Sequence, residues 1–445
     1  MVMEFGRHIG KGVWAFADKA LPAIYGLGIV FLVIRGISPK EYGGYVVIQT
    51  IISLTTALGY ALALQPLVKF VAEKEDPGSY IVWSILMQCG FFLIVALIIM
   101  LMKDFFAHLF DPAHEMDISS LMVYVPLLFL SAFYRNFGVS LLQATYRMQK
   151  IFWIDVVYFL GSLAAIYGAR SFGSFNTAKD LLNITVVAGA LSSVLAMILT
   201  RREMAVKYTL RKDTLREMWD FGKYTFGGSA LYTMFAQMDI FFISSLAGVT
   251  SVAVYNAGKI LTRLFDMMNQ VISMFLLHFF SKHYSRREHD KILVVAEKTI
   301  CFSTIFMIPV LLILVLFPGQ VLFVLYHGKY DASAGIVRAF GLLALVVPWN
   351  AVISNYLVGI GKVKESFYIG VLAVCASIVG YYVATIYFGQ TGTAIAYVVS
   401  LFAMTLIMYT YARRFIRVRI TGVLSRVKDI VAFVRNRSFF PQREG

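Results

Sequence analysis

Five polar residues recur at steps of three, four, three and four: Asn256, Lys259, Arg263, Asp266 and Gln270. That rhythm puts them on one face of a helix for about four turns. The residues between them are largely apolar, so the helix reads as a membrane span. A charge at the bilayer centre costs about 2.5–3.5 kcal/mol on insertion scales, and three on one helix cost about 9 kcal/mol. Such a face must line water or pair with other helices. Arg263 and Asp266, at i and i+3, can partly neutralise one another. Lys259 has no acid on that face, so its partner lies elsewhere in space or is a ligand. Two readings stay open: a ligand-binding cavity, or a structural network of buried ion pairs.

Other apolar stretches carry charge as well. Asp18 and Lys19 fall in the first, and Arg135, with Asn136, Ser140 and Gln143, makes the fourth polar. Asp239 sits deep in the seventh. Asp18 and Asp239 are the candidates for taking up a coupling proton or ion, though Asp239 could equally pair with Lys259 or Arg263. Gln49, Ser53, Thr56 and Tyr60 form a second polar stripe, in the second stretch.

Several chemistries are missing. There is no phosphate-binding Walker loop and no Gly-rich nucleotide fingerprint after a strand. The seven His are scattered without metal-ligand spacing, so neither a metal nor a cofactor is expected. The connection Lys103–Asp117 holds Asp104, Asp111, Glu115 and Asp117, but reads as a short solvated turn. An enzyme is therefore not expected. Cys89, Cys301 and Cys375 lie in apolar runs and read as packing residues, with no disulfide framework.

The elements that must hold these residues follow from composition. Of 445 residues, 59% are hydrophobic and 15% charged, and mean hydropathy is +0.74. Soluble domains carry about 25% charged residues. Apolar segments occur at 12–36, 43–68, 79–102, 119–146, 151–169, 181–200, 221–247, 252–280, 296–317, 333–360, 366–388 and 391–412. Each is near the roughly 20 residues a span needs, and little chain remains for a soluble domain. The first segment carries Asp18 and Lys19 and shows no small-residue cleavage site, so it reads as a span, not a secretory signal. Net charge is +15. Counted by connection, 27 basic residues fall on the side of the N-terminus and seven opposite. The bias predicts a multi-pass plasma (inner) membrane protein with both termini cytoplasmic, and not a nucleic-acid binder.

Internal similarity suggests duplication. Gln49, Ser53, Thr56 and Tyr60 align with Lys259, Arg263, Asp266 and Gln270 at an offset of 210, and Tyr45 aligns with Tyr255. An even-numbered repeat gives parallel halves about an axis along the membrane normal. The expected fold is an all-α polytopic membrane protein of about twelve transmembrane helices. They form two parallel-repeat six-helix bundles around a central cavity: residues 1–205 and 206–412. The tail, 413–445, carries Ile416, Ile420, Val423, Val427, Ile430 and Val434 at helical steps among Arg and Lys. That pattern predicts a basic amphipathic helix on anionic lipid headgroups.

Five short motifs then carry a resemblance. They are ISPKEYGGY (Ile37–Tyr45), LALQPLVKFVAEKE (62–75), SVAVYNAGKI (Ser251–Ile260), FLLHFFSKHYSRRE (Phe275–Glu288) and YLVGIGKVKES (Tyr356–Ser366). In this order and spacing the chain resembles the Wzx-type oligosaccharide-lipid flippases. These are polysaccharide transporters of the multidrug/oligosaccharidyl-lipid/polysaccharide (MOP) exporter superfamily. Twelve spans, against fourteen in the lipid II branch, point away from a peptidoglycan role. The resemblance implies two bundles, alternating access and a polyprenyl-diphosphate-linked oligosaccharide moved to the outer leaflet. A polysaccharide polymerase complex is a further candidate partner. Under that implication Lys259, Arg263, Arg135 and Lys19 are candidates for the diphosphate. Gln49, Tyr60, Asn256, Gln270 and Asn350 are candidates for the sugars. The rival reading is a cation-coupled multidrug exporter of the same superfamily, which should line its cleft with acids.

Overall fold

The structure, a computed structural model, describes residue 14 and residues 17–74, 77–204 and 209–428. Among these the protein is helical, without a strand. Ten helices are long and apolar enough to cross a membrane singly: α1 (Ala17–Ile34), α2 (Pro39–Glu73), α3 (Gly78–Leu101), α4 (Ile118–Ala144), α5 (Met148–Ser171), α6 (Ala178–Thr200), α7 (Lys212–Ala247), α8 (Val249–Ser285), α9 (His289–Leu316) and α10 (Asp331–Gly359). An eleventh helical stretch, Val363–Ala412, has 50 residues. At 1.5 Å per residue it would run about 75 Å, more than twice a hydrocarbon core of about 30 Å. It breaks at Gly389, whose φ of 59° and ψ of −150° suit only a residue without Cβ. The two arms, 363–388 and 390–412, are α11 and α12. Twelve segments result, as the apolar runs predict.

Compactness separates the chain within α8. One unit holds Met1–Asn256 with Leu325–Lys329, and the other Ala257–Val324 with Tyr330–Gly445. The expected boundary at 205/206 lies outside the described residues.

In the first unit, the Ile37–Tyr45 motif is explained residue by residue. Ser38 caps α2 by accepting from the Glu41 backbone N–H at 3.2 Å, and Pro39 opens the helix where no N–H is needed. The Glu41 carboxylate reaches the Ala178 N–H at 2.7 Å and so satisfies the start of α6. The Tyr42 hydroxyl accepts from Asn256 Nδ2 at 2.7 Å. At Gly43 a Cβ would lie 2.0 Å from the Val249 carbonyl oxygen. Glu115 takes the Thr250 N–H and hydroxyl at 2.9 and 2.8 Å. The start of α8 is thus fastened by three separate contacts.

In the second unit, α8, α9 and α10 enclose a core containing Phe280, Ile300 and Tyr356. The start of the tail packs into this core. Residues 416–419 are not helical, and Ile416 and Val418 are buried while Arg417 and Arg419 are exposed. That is alternation with period two, the signature of extended chain. The Tyr409 hydroxyl donates to the Val418 carbonyl at 2.7 Å. A short helix, α13 (Ile420–Ser425), follows, and Arg426 binds Glu297 at 2.9 and 3.1 Å. The tail helix expected from Ile416 onward therefore begins later. Its remainder, with Ile430, Val434, Arg435 and Arg437, lies outside the described residues. Val418→Asp is expected to cost at least about 2 kcal/mol and to speed protease cleavage beyond residue 412. Arg417→Asp should leave cleavage unchanged, and equal rates for the two would refute this packing.

Candidate functional site

Pro66 shapes the site from a distance. It has no N–H, and its ring displaces the carbonyl four residues earlier. Helix α2 responds with a wider π turn at Tyr60–Leu64. The carbonyls this loosens find new partners in neighbouring helices. Thr225 Oγ1 donates to Ala61 O at 2.7 Å and Ser84 Oγ to Ala63 O at 3.0 Å. The α7 backbone comes so close at Gly222 that a Cβ would stand 2.6 Å from Leu62 O. Three helices are thereby registered around the π turn.

Beside it lies a cavity of about 600 Å³ within the first unit. From α2 it is lined by Gln49, Ser53, Thr56 and Tyr60, and from α4 by Arg135, Asn136, Ser140 and Gln143. Gln88, Tyr158 and Tyr232 add an amide and two phenols. Among the described residues, Arg135 is the one charged residue in the lining.

The placement of Arg135 is built with care. Its backbone N–H donates to Ser193 Oγ at 3.0 Å, and Ser193 Oγ donates to Ser131 O at 2.6 Å. The Ser193 hydroxyl thus bridges two groups, four residues apart, that an uninterrupted helix joins directly. Such an insertion lets α4 bend. The Arg135 guanidinium binds Asp155 Oδ1 at 2.5 Å and lies 4.1 Å from the Tyr158 ring centroid and 5.6 Å from that of Phe159. Pairing on one side and aromatic faces on another lower the cost of holding a cation inside the membrane. Asp18 is buried, lies 3.8 Å from the Lys19 ammonium and is near enough to Asp155 to feel its charge, while its Oδ1 has no hydrogen-bond partner among the described residues.

Some polar groups here are left unpaired by protein. Gln88 is fully buried, yet its Oε1 and Nε2 have no hydrogen-bond partner, and neither does Arg135 Nε. Buried amides are nearly always satisfied, so these atoms call for water or a ligand in the cavity.

Of the residues singled out from the sequence, Gln49, Tyr60 and Arg135 meet in this cavity. Lys19 is exposed and pairs with Asp18, and Asn256 is engaged by Tyr42. Asp239 is fully buried and accepts the Tyr255 hydroxyl at 2.5 Å. The others belong to the second unit. There α8 passes through a tighter 3₁₀ turn at Ile260–Thr262, between Lys259 and Arg263. Three residues at three per turn advance about 60° further than at 3.6, so the polar face is stepped, not straight. Lys259 lies 5.7 Å from the Tyr397 ring, Arg263, Asp266 and Gln270 are exposed, and Asn350 Nδ2 donates to Thr405 Oγ1 at 3.0 Å. Asp266 feels both Lys259 and Arg263 electrostatically. Sequence reading overlooked Asp155 and Gln88. Asp155 had a signal, being a lone acid in the apolar run of α5. Gln88 had none, since one amide in a 24-residue apolar helix is unremarked until its burial is seen.

The profile of a family described as polysaccharide biosynthesis protein matches residues 32–335. The chain belongs to this family. The family's match runs from the end of α1 into α10, across both polar stripes. Among solved structures the protein resembles lipid II flippase MurJ in an inward closed conformation. The TM-score is 0.76 at 13% identity, covering 98% of this chain and 94% of that one. It also resembles an inward-facing multidrug resistance MATE transporter of the MOP superfamily, with TM-score 0.73, 14% identity and coverage of 92% and 99%. A MOP transporter from Pyrococcus furiosus, described as having a binding pocket of reversed polarity, gives 0.62 at 16% identity, covering 90% and 93%. These likenesses show the fold, which is that of the MOP superfamily. An uncharacterized membrane protein of Methanocaldococcus jannaschii is 21% identical over 199 residues, 44% of this chain. The chain spans 39% of that protein's length. With its family, its fold and eleven helical stretches among the described residues long and apolar enough to cross a membrane, this is a multi-pass membrane protein.

Proposed function

We propose that this polysaccharide biosynthesis protein flips a polyprenyl-diphosphate-linked oligosaccharide from the cytoplasmic to the outer leaflet, by alternating access, for export of a surface polysaccharide. The observation that carries the reading is the lining of the first-unit cavity. Among the described residues it offers amides, hydroxyls and phenol rings around a single cation, with no acid in the lining. Amides and aromatic faces suit sugar hydroxyls and ring faces, and an arginine suits phosphate. A cavity for cationic drugs would call for the opposite charge. In the second unit, Lys259 and Arg263 are the candidate diphosphate contacts, with Asp266, Gln270 and Asn350 as polar neighbours. Lys19 and Asn256 complete the set. The Asp18–Asp155 pair, two carboxyls able to share one proton, is the preferred coupling site, and Asp239 the second candidate. On this proposal the protein sits in the inner membrane with both termini cytoplasmic and the tail on anionic headgroups. A polymerase complex is its further partner.

The test is reconstitution into liposomes with a fluorescent polyprenyl-diphosphate sugar. Wild type should transfer it between leaflets. Gln88→Leu, which removes a partnerless amide, should slow transfer about tenfold, the value of one or two buried hydrogen bonds. Lys259→Ala and Arg263→Ala should each slow it with unchanged insertion. Cells lacking the protein should accumulate lipid-linked oligosaccharide. Dye sensitivity without such accumulation would transfer the assignment to the drug exporter.

A further inference from the structure

A second cavity, of about 780 Å³, opens where α1 and α5 end, closed on one side by the segment Leu325–Lys329. Its lining holds Arg35, Arg170 and Lys329 with Phe31, Tyr167 and His327, and no acid. Counting spans puts the ends of the first, fifth and ninth helices on one membrane face. That face is poor in basic residues: the sequence gives it seven, and three of them converge here. Like charges gathered in one lining raise the positive potential there and favour an anion.

Part of this basicity is used for capping. Arg170 Nη1 donates to Leu32 O at 2.9 Å, Arg35 Nε to Leu325 O at 2.6 Å, and Lys329 Nζ to Ile34 O at 3.1 Å and to Ile37 O. Arg170 and Lys329 thereby satisfy carbonyls at the C-terminal end of α1, and Arg35 satisfies one at Leu325. Capping does not exhaust Arg170. Arg170 is exposed, and its Nε and Nη2 have no partner among the described residues. The Lys329 ammonium is held below the ordinary lysine range, first by burial and then by the nearby Arg170 charge. An anion in the pocket would relieve that repulsion. The rim is aromatic: Tyr167 is 65% exposed and Phe31 41% exposed, the placement of rings at a membrane–water interface.

We propose that this pocket binds a phosphate ester presented by an anionic lipid of the leaflet at that face, with Arg170 holding the phosphate, the positive charges of Arg35 and Lys329 beside it, and Tyr167 beside the glycerol and acyl chains. Free phosphate shares the chemistry, and the test separates the two sources. Purified protein is titrated with phosphatidylglycerol, phosphatidylcholine or inorganic phosphate, and bound lipid is counted by native mass spectrometry alongside the thermal shift. Phosphatidylglycerol is expected to bind in preference to phosphatidylcholine and to raise Tm with concentration. Arg170→Gln should weaken that binding about tenfold, the loss of one charge-assisted hydrogen bond. Lys179→Gln, on an exposed residue outside the pocket, should leave it unchanged. Should Lys329→Gln fold poorly because its caps are lost, Arg170→Gln alone decides. Pure capping predicts a lower Tm in Arg170→Gln with lipid preference intact, which overturns the proposal, as does equal binding of the two lipids. A full effect from inorganic phosphate keeps the anion site and overturns its lipid occupant.

Discussion

Arg135→Met should abolish most transfer in the liposome assay and lower the melting temperature at the same time. The substitution leaves Asp155 and Asp18 facing each other, with only the exposed Lys19 nearby. Breaking one half of a buried ion pair costs about 3–5 kcal/mol, much more than the pair itself contributes. Arg135→Met combined with Asp155→Leu removes both charges and should recover most of that stability. It should not recover transport, because the only cation lining the cavity among the described residues is gone. The two readouts separate a structural role from a substrate role. Recovery of both in the double variant would make Arg135 a scaffold residue, whereas loss of transport with stability restored assigns it to the cargo. The non-additive stability term, read from the cycle of single and double variants, should be at least about 2 kcal/mol for side chains in direct contact.

The second large effect is expected at Gly43. A Cβ there would stand 2.0 Å from the Val249 carbonyl oxygen and 2.9 Å from its carbon. Both are backbone atoms, so no side chain can swing aside. To admit Gly43→Val, α2 must move away from the start of α8, which strains the Tyr42–Asn256 and Glu115–Thr250 hydrogen bonds together. Overpacking usually costs about 1–3 kcal/mol, and the shared clamp should push this site to the upper end. The monodisperse peak in detergent gel filtration should be largely lost. Gly90→Ala is the matched control. It lies inside α3 and its Cβ would meet nothing within 4 Å, so stability should stay level or rise by about 0.5–1 kcal/mol. Comparable yields from the two variants would mean that the contact at Val249 yields easily.

Span number and polar faces were readable because both rest on local rules. A run of about 20 apolar residues needs no tertiary information, and the break between α11 and α12 was visible in the Gly-containing gap around residue 389. Tyr60 and Arg135 were found because polar residues inside lipid-length segments stand out. Their partners were not found. Asp155 meets Arg135 from another helix twenty residues on, and no spacing rule links them. The tail shows the opposite failure. Ile416 and Ile420 fit a helical step, but Ile416 and Val418 are the residues that the core buries. Period two and period 3.6 cannot be separated over four residues until the Tyr409 hydroxyl chooses between them. The π turn at Tyr60 was hidden for a related reason: Pro66 announces a disturbance, while its form depends on the hydroxyls of Ser84 and Thr225.

Gly389 bears on how the C-terminal end is made. Arms 363–388 and 390–412 are joined by a single residue, with no hydrophilic loop for the insertion machinery to pass across the bilayer separately. They must therefore enter together as a preformed hairpin, and the first arm has to wait for the ribosome to finish the second. Lengthening this junction would uncouple the two arms during synthesis, before any contact of the finished fold is at stake.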